Sequence, residues 1–95
     1  MAAYMIVDLD IEDLSALDEY RRQAVPIFAK YGGRALVRLG RAEVLEGEWI
    51  PKRVMVLEFQ TMDALKRWWT SEEYRPLKPL RQRVSKANVI AIEGV

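Results

Sequence analysis

The segment Arg53-Val54-Met55-Val56-Leu57-Glu58-Phe59 most constrains the fold, because it has the composition of a strand and is apolar on both strand faces. Met55, Leu57 and Phe59 point one way, and Val54 and Val56 point the other. Two more segments repeat the pattern. In Tyr4–Leu9, Met5, Val7 and Leu9 oppose Ile6, and in Asn88–Ile92, Val89 and Ala91 oppose Ile90 and Ile92. An antiparallel sheet with one face in water would alternate cleanly between apolar and polar residues. These strands need cover on both faces.

The segments between the strands supply cover for one face. Asp13 and Ser15 each fit a helix N-cap, and Ser15 with Asp18 fits a capping box. Leu17, Tyr20, Ala24, Phe28 and Tyr31 recur at helical spacing as one apolar stripe. Pro26 removes a backbone hydrogen bond from this helix and predicts a kink. Gly32-Gly33 ends the helix, since glycine accepts the left-handed C-cap conformation. Arg34–Leu39 reads as another strand, followed by a connection from Gly40 to Lys52 with a turn at Glu46-Gly47. Thr61 caps a second helix carrying Met62, Leu65, Trp68 and Trp69. Ser71 reads as a new N-cap, and Pro76 and Pro79 predict short, broken helical turns up to about Val84.

The order β-α-β-β-α-β, with right-handed crossovers, places both helical regions on one face of a four-stranded antiparallel sheet. This is a ferredoxin-like α+β sandwich, with the strands in the spatial order fourth, first, third, second. The whole chain of 95 residues forms one such domain, residues 1–95. The second apolar face then calls for a second copy of the chain, laid on it with two-fold symmetry.

What the chain lacks limits its chemistry. It has no cysteine and no histidine. Thiol nucleophiles, thiolate metal sites, a Ser-His-Asp triad and the commonest general base are therefore absent. Neither a metal site nor a cofactor is expected. Fifteen basic and 14 acidic residues leave a formal charge of +1, which gives no reason to expect nucleic acid as a partner. No apolar run of about 18 residues spans a membrane, and no signal peptide is apparent, so the cytoplasm is the expected location. Arg75, Lys78, Arg81, Arg83 and Lys86 read as a solvated basic face.

Phe28-Ala29-Lys30-Tyr31-Gly32-Gly33-Arg34, then Leu36-Val37-Arg38, then Glu43-Val44-Leu45-Glu46-Gly47, together resemble the domain-of-unknown-function family numbered 1330. Glu58-Phe59, Trp68, Ser71 and Glu73-Tyr74 continue the resemblance, which spans Tyr4 to Gly94. Leu39 stands where that family often has glycine at a bend after Arg38, and Glu72 where it often has proline. The resemblance implies a dimeric α+β barrel. That superfamily holds cofactor-independent monooxygenases, isomerases, haem enzymes and proteins without known activity, so the fold leaves the function open. The missing histidine argues against the haem-binding branch.

A homodimer binding a small organic ligand, an anionic one among the options, between sheet and helices is the expectation. A cofactor-independent oxygenase or isomerase acting on a small metabolite is the alternative. Candidate ligand-binding residues are Tyr31, Arg34, Arg38, Glu58, Trp68 and Tyr74, with Glu58 as acid-base candidate. The Trp68-Trp69 pair could line a pocket between helix and sheet, although the ordinary reading puts one in the core and the other over an edge; Trp49 reads as a dimer contact. With a turn centred on Glu46, one sheet face carries three rows: Tyr4-Glu58-Arg34, Ile6-Val56-Leu36 and Asp8-Val54-Arg38. In that register Arg38 needs an anionic counterpart, which Asp8 or a ligand would supply.

Overall fold

The computed structural model describes all residues, Met1–Val95. Seven elements follow in order: β1 (Ala3–Ile11), α1 (Leu14–Lys30), β2 (Arg34–Gly40), β3 (Arg53–Phe59), α2 (Met62–Trp69), α3 (Leu77–Val84) and β4 (Ser85–Glu93). The strands form one antiparallel sheet in the order β2-β3-β1-β4, the ferredoxin-like arrangement.

Local chemistry sets the boundaries. Asp13, rather than Ser15, caps α1, its carboxylate accepting from the Ala16 N–H at 3.1 Å. Thr61 caps α2 in the same way through the Ala64 N–H. Ser71 starts only one helical turn: its hydroxyl accepts from the Tyr74 N–H and donates to the Trp68 carbonyl. The regular helix α3 begins six residues later, at Leu77. The α1 helix continues through Pro26. Strand β4 is longer than its apolar core, beginning at Ser85 directly after α3.

The helix layer rests on the sheet face carrying Met5, Val7, Leu9, Leu57 and Phe59, all buried. Leu17 and Ala24 from α1, Leu65 and Trp68 from α2, and Leu77 from α3 close this core from above. The other sheet face carries no helix. There Leu36, Val37, Ile90 and Ile92 are exposed.

The expected register holds between β1 and β3, with Tyr4 opposite Glu58, Ile6 opposite Val56 and Asp8 opposite Val54. It fails along β2. Arg34 pairs with Glu58 as expected, but Val37 rather than Leu36 stands opposite Val56, and Gly40 rather than Arg38 opposite Val54. Two bulges cause the shift. Leu36 is an extra residue between the Ala35–Leu57 and Val37–Val56 pairs, and Arg38 and Leu39 together oppose the single residue Met55. Leu39 completes the second bulge at φ +49°, in the left-handed region.

Candidate functional site

Residue by residue, the bulges determine what faces the helices. Because Leu36 is extra, Arg38 turns from the open sheet face to the helix side. There it joins Leu39 and Met55 at a cavity enclosed by α1, the sheet and the α2–α3 region. The cavity measures about 330 Å³ and is lined by 22 residues, of which 17 are hydrophobic. Gly33 and the four arginines Arg21, Arg34, Arg38 and Arg81 complete the lining, which includes no carboxylate.

Aromatic rings build one wall. Trp68 stacks on Tyr74 with ring centroids 4.4 Å apart and meets Phe28 edge-on at 5.6 Å. Phe59 and Trp69 pack on the same indole. These contacts fix the ring orientations, since aromatic pairs favour offset or edge geometries. The Tyr20 hydroxyl lies 2.7 Å from the Tyr74 hydroxyl. Burial, and then the Tyr74 hydroxyl, raise the Tyr20 phenol well above the ordinary tyrosine range, with the Arg81 charge opposing the rise. Tyr20 is therefore a neutral hydroxyl at any physiological pH. The Trp68 Nε1–H is buried and has no hydrogen-bond acceptor in the protein.

Arg81 departs from the expected solvated basic face. Only 7% of its surface is exposed, because it lies on the buried side of α3 with Leu77 and lines the cavity. Lys78, one turn earlier, places its ammonium 4.0 Å from the Trp69 ring centroid. Burial, followed by the charges of Arg81 and Arg75, holds this lysine below its ordinary pKa.

Four of the six candidate residues meet at the cavity: Arg34, Arg38, Trp68 and Tyr74. Arg34 and Arg38 are exposed at its rim, while Trp68 and Tyr74 lie within. Glu58 does not line it. Its carboxylate is on the open sheet face, 2.8 Å from the Arg34 guanidinium. Tyr31 is also outside, its hydroxyl donating to Glu73, which is paired with Lys30 at 2.9 Å. Asp8 is not the counterpart of Arg38. It accepts instead from the Trp49 Nε1–H at 3.1 Å and from the Lys52 backbone N–H at 2.8 Å, anchoring the end of the connection between β2 and β3.

Tyr20, Arg21 and Arg81 line the cavity but were not among the candidates, and Trp69 lines it beside Trp68. Arg81 had a sequence signal. Leu77, Leu80, Arg81 and Val84 fall at i, i+3, i+4 and i+7, so a charge interrupts the apolar stripe of a helix.

A family model described as Domain of unknown function (DUF1330) matches residues 2–95. No curated protein matches the sequence. Among solved structures, a protein of unknown function from Rhodopseudomonas palustris superposes with a TM-score of 0.79 at 17% identity, over 99% of this chain and 82% of that one. SnoaB, a cofactor-independent oxygenase from Streptomyces nogalater, gives 0.70 at 10% identity, over 99% and 93%. A dimeric ferredoxin-like protein of unknown function from Jannaschia sp. CCS1 gives 0.64 at 16% identity, over 99% and 100%.

Proposed function

The chain belongs to the DUF1330 family, and we propose that it is a homodimeric binding protein that takes a small, largely apolar organic molecule between its helices and its sheet. The cavity carries this reading. Its volume of about 330 Å³ falls in the range of small-molecule sites, and its lining combines many hydrophobic side chains with a few polar ones. Rings locked against one another offer flat walls, so little ordering is needed when a flat ligand enters.

Binding is favoured over catalysis by the missing base. Glu58, the carboxylate nominated for acid-base work, lies on the opposite sheet face, and no other carboxylate reaches the cavity. Tyr20 is held neutral and so serves as a hydrogen-bonding group. The likeness to SnoaB, at 10% identity, speaks for the fold alone. The homodimer rests on the uncovered apolar sheet face and on the dimeric assembly of the protein from Jannaschia.

Tryptophan emission tests the ligand-binding reading. One- and two-ring organic compounds should quench it saturably, and Trp68→Phe should remove much of the response. Saturating ligand should also raise the melting temperature, as any ligand selective for the folded state does. Absence of saturable quenching by every such compound at millimolar concentration would overturn the reading.

A further inference from the structure

Arg81 has no counter-charge within the protein, and the Trp68 Nε1–H has no acceptor. Arg81 is 7% exposed and reaches the neutral Tyr20 hydroxyl, yet none of the four ion pairs of the chain includes it. Trp68 is 4% exposed, and its Nε1–H has no acceptor. Each arrangement is costly by itself. A buried charge without a counter-charge loses its hydration without recompense, and a buried donor without an acceptor forfeits a hydrogen bond.

The surroundings share one sign. Four arginines and no carboxylate line the cavity. Lys78 stands close enough to Arg81 for the two charges to repel, and that repulsion contributes to its lowered pKa. Of the four arginines, Arg34 is paired with Glu58, and Arg21 reaches Asp18 at 3.6 Å. Arg38 is exposed to solvent at the rim. Arg81 is therefore the buried cation of the four that has no carboxylate partner, only the neutral Tyr20 hydroxyl.

Resting on the ligand-binding reading above, we infer that the ligand is an organic anion with a ring-sized apolar body, its charged oxygen held by Arg81 and the Trp68 Nε1–H donating to the same molecule. Carboxylates, phenolates and enolates share the required chemistry, an oxygen bearing negative charge on or next to a flat framework. A guanidinium offers such an oxygen a forked pair of donors. The Tyr20–Tyr74 hydroxyl pair stays neutral and can donate one further hydrogen bond without repelling the anion.

The test compares 2-naphthoate with 2-naphthalenemethanol, two probes that differ chiefly in charge. Both are titrated into the full-length protein while the indole N–H resonances are followed by NMR, that of Trp68 being assigned with Trp68→Phe. Naphthoate should bind about tenfold or more tighter than the alcohol, the scale set by a hydrogen bond to a charged group. Its binding should also shift the Trp68 indole proton downfield. Arg81→Met should abolish the preference, bringing the affinities of naphthoate and the alcohol to within about twofold of each other. Equal affinity of the two probes for the wild-type protein, or an anion preference that persists in folded Arg81→Met, would overturn the assignment to Arg81 and leave the cavity as a ligand site. A Trp68 resonance that does not move while naphthoate saturates the protein would remove the indole from the inference. If neither probe binds, this inference and the ligand-binding reading both fall. Should Arg81→Met not fold, the wild-type comparison of the two probes decides alone.

Discussion

Leu39 holds a backbone conformation that costs a residue with a Cβ atom roughly 1–2 kcal/mol. The half-buried Leu39 side chain offsets part of that cost by packing against the core. These two effects predict an inverted order of stability. Leu39→Ala loses the packing and keeps the strain, whereas Leu39→Gly loses the same packing and sheds the strain. The glycine variant should be the more stable of the two by about 1 kcal/mol, although glycine ordinarily weakens a strand. Urea denaturation measures the difference, and an alanine variant as stable as the glycine variant would contradict it. Tyr20 gives a second prediction at this scale. Its folded pKa is raised, chiefly by burial, so its contribution to stability is intact below the unfolded value, about 10, and is lost as pH rises through the folded value. In a spectrophotometric titration compared with that of Tyr20→Phe, the Tyr20 phenol should therefore fail to ionise until the protein unfolds in alkali. A Tyr20→Phe variant that loses one phenol ionisation near pH 10, while both proteins stay folded, would refute this. The place of Trp68 and Tyr74 in the cavity lining was legible, because the second helix turns Trp68 toward the sheet and the Ser71-capped turn after it brings Tyr74 against the indole. Arg81 was missed because a basic cluster near the C-terminus reads as a solvated surface until α3 is placed and one of its charges is seen to point inward.

The end of α1 is held by a Schellman motif. The Gly33 N–H donates to the Phe28 carbonyl and the Gly32 N–H to the Ala29 carbonyl, with Gly32 at φ +86°. The same turn sets the edge of the cavity, because a Cβ atom on Gly33 would collide with the Phe28 ring. That ring is clamped between Phe59 and Trp68, both edge-on to it. Gly33→Ala must therefore displace a packed aromatic side chain. It should cost about 1–3 kcal/mol, as overpacking of a dense core does, and should weaken ligand binding as well. An unchanged urea midpoint would show that the ring moves freely. This helix end was legible, since paired glycines after an apolar stripe have one common meaning. The bulges of β2 were not. Arg34–Gly40 contains no internal glycine or proline to mark an irregularity, and register is a property of two strands together, invisible in either one. One extra residue at Leu36 then carried Arg38 from the open sheet face to the cavity. The same shift parted it from Asp8, one of the two counterparts expected for it, the other being a ligand anion.

At the scale of the whole molecule, the proposed homodimer accounts for the shape. The chain extends 35 × 35 × 17 Å, the thickness of one helix layer on one sheet. It exposes 6567 Å², whereas a compact monomer of 11.0 kDa would expose about 5,600 Å². The excess is close to the roughly 800 Å² that each partner contributes to a stable interface. Pairing across the sheet places Ile90, Ile6, Val56 and Val37 in one continuous row over all four strands. The row below it, Ile92-Tyr4-Glu58-Arg34, carries an ion pair at its β2 end. An apolar band with a charged margin is the anatomy of an interface core and its rim. Ile90 is 57% exposed and lies at the β4 end of the band. A two-fold operation that lays one band on another would bury Ile90 in both copies. Ile90→Glu would then desolvate two like charges in one interface, a cost of several kcal/mol that a dimer of this size cannot absorb. In the single chain the same substitution sits in the open and should change stability by no more than about 0.5 kcal/mol. Light scattering after size-exclusion chromatography should give twice 11.0 kDa for the wild-type protein at micromolar concentration and 11.0 kDa for Ile90→Glu, both with the same circular dichroism. A wild-type mass of 11.0 kDa would leave the band without an occupant, and a dimeric Ile90→Glu would move the interface to another face of the molecule.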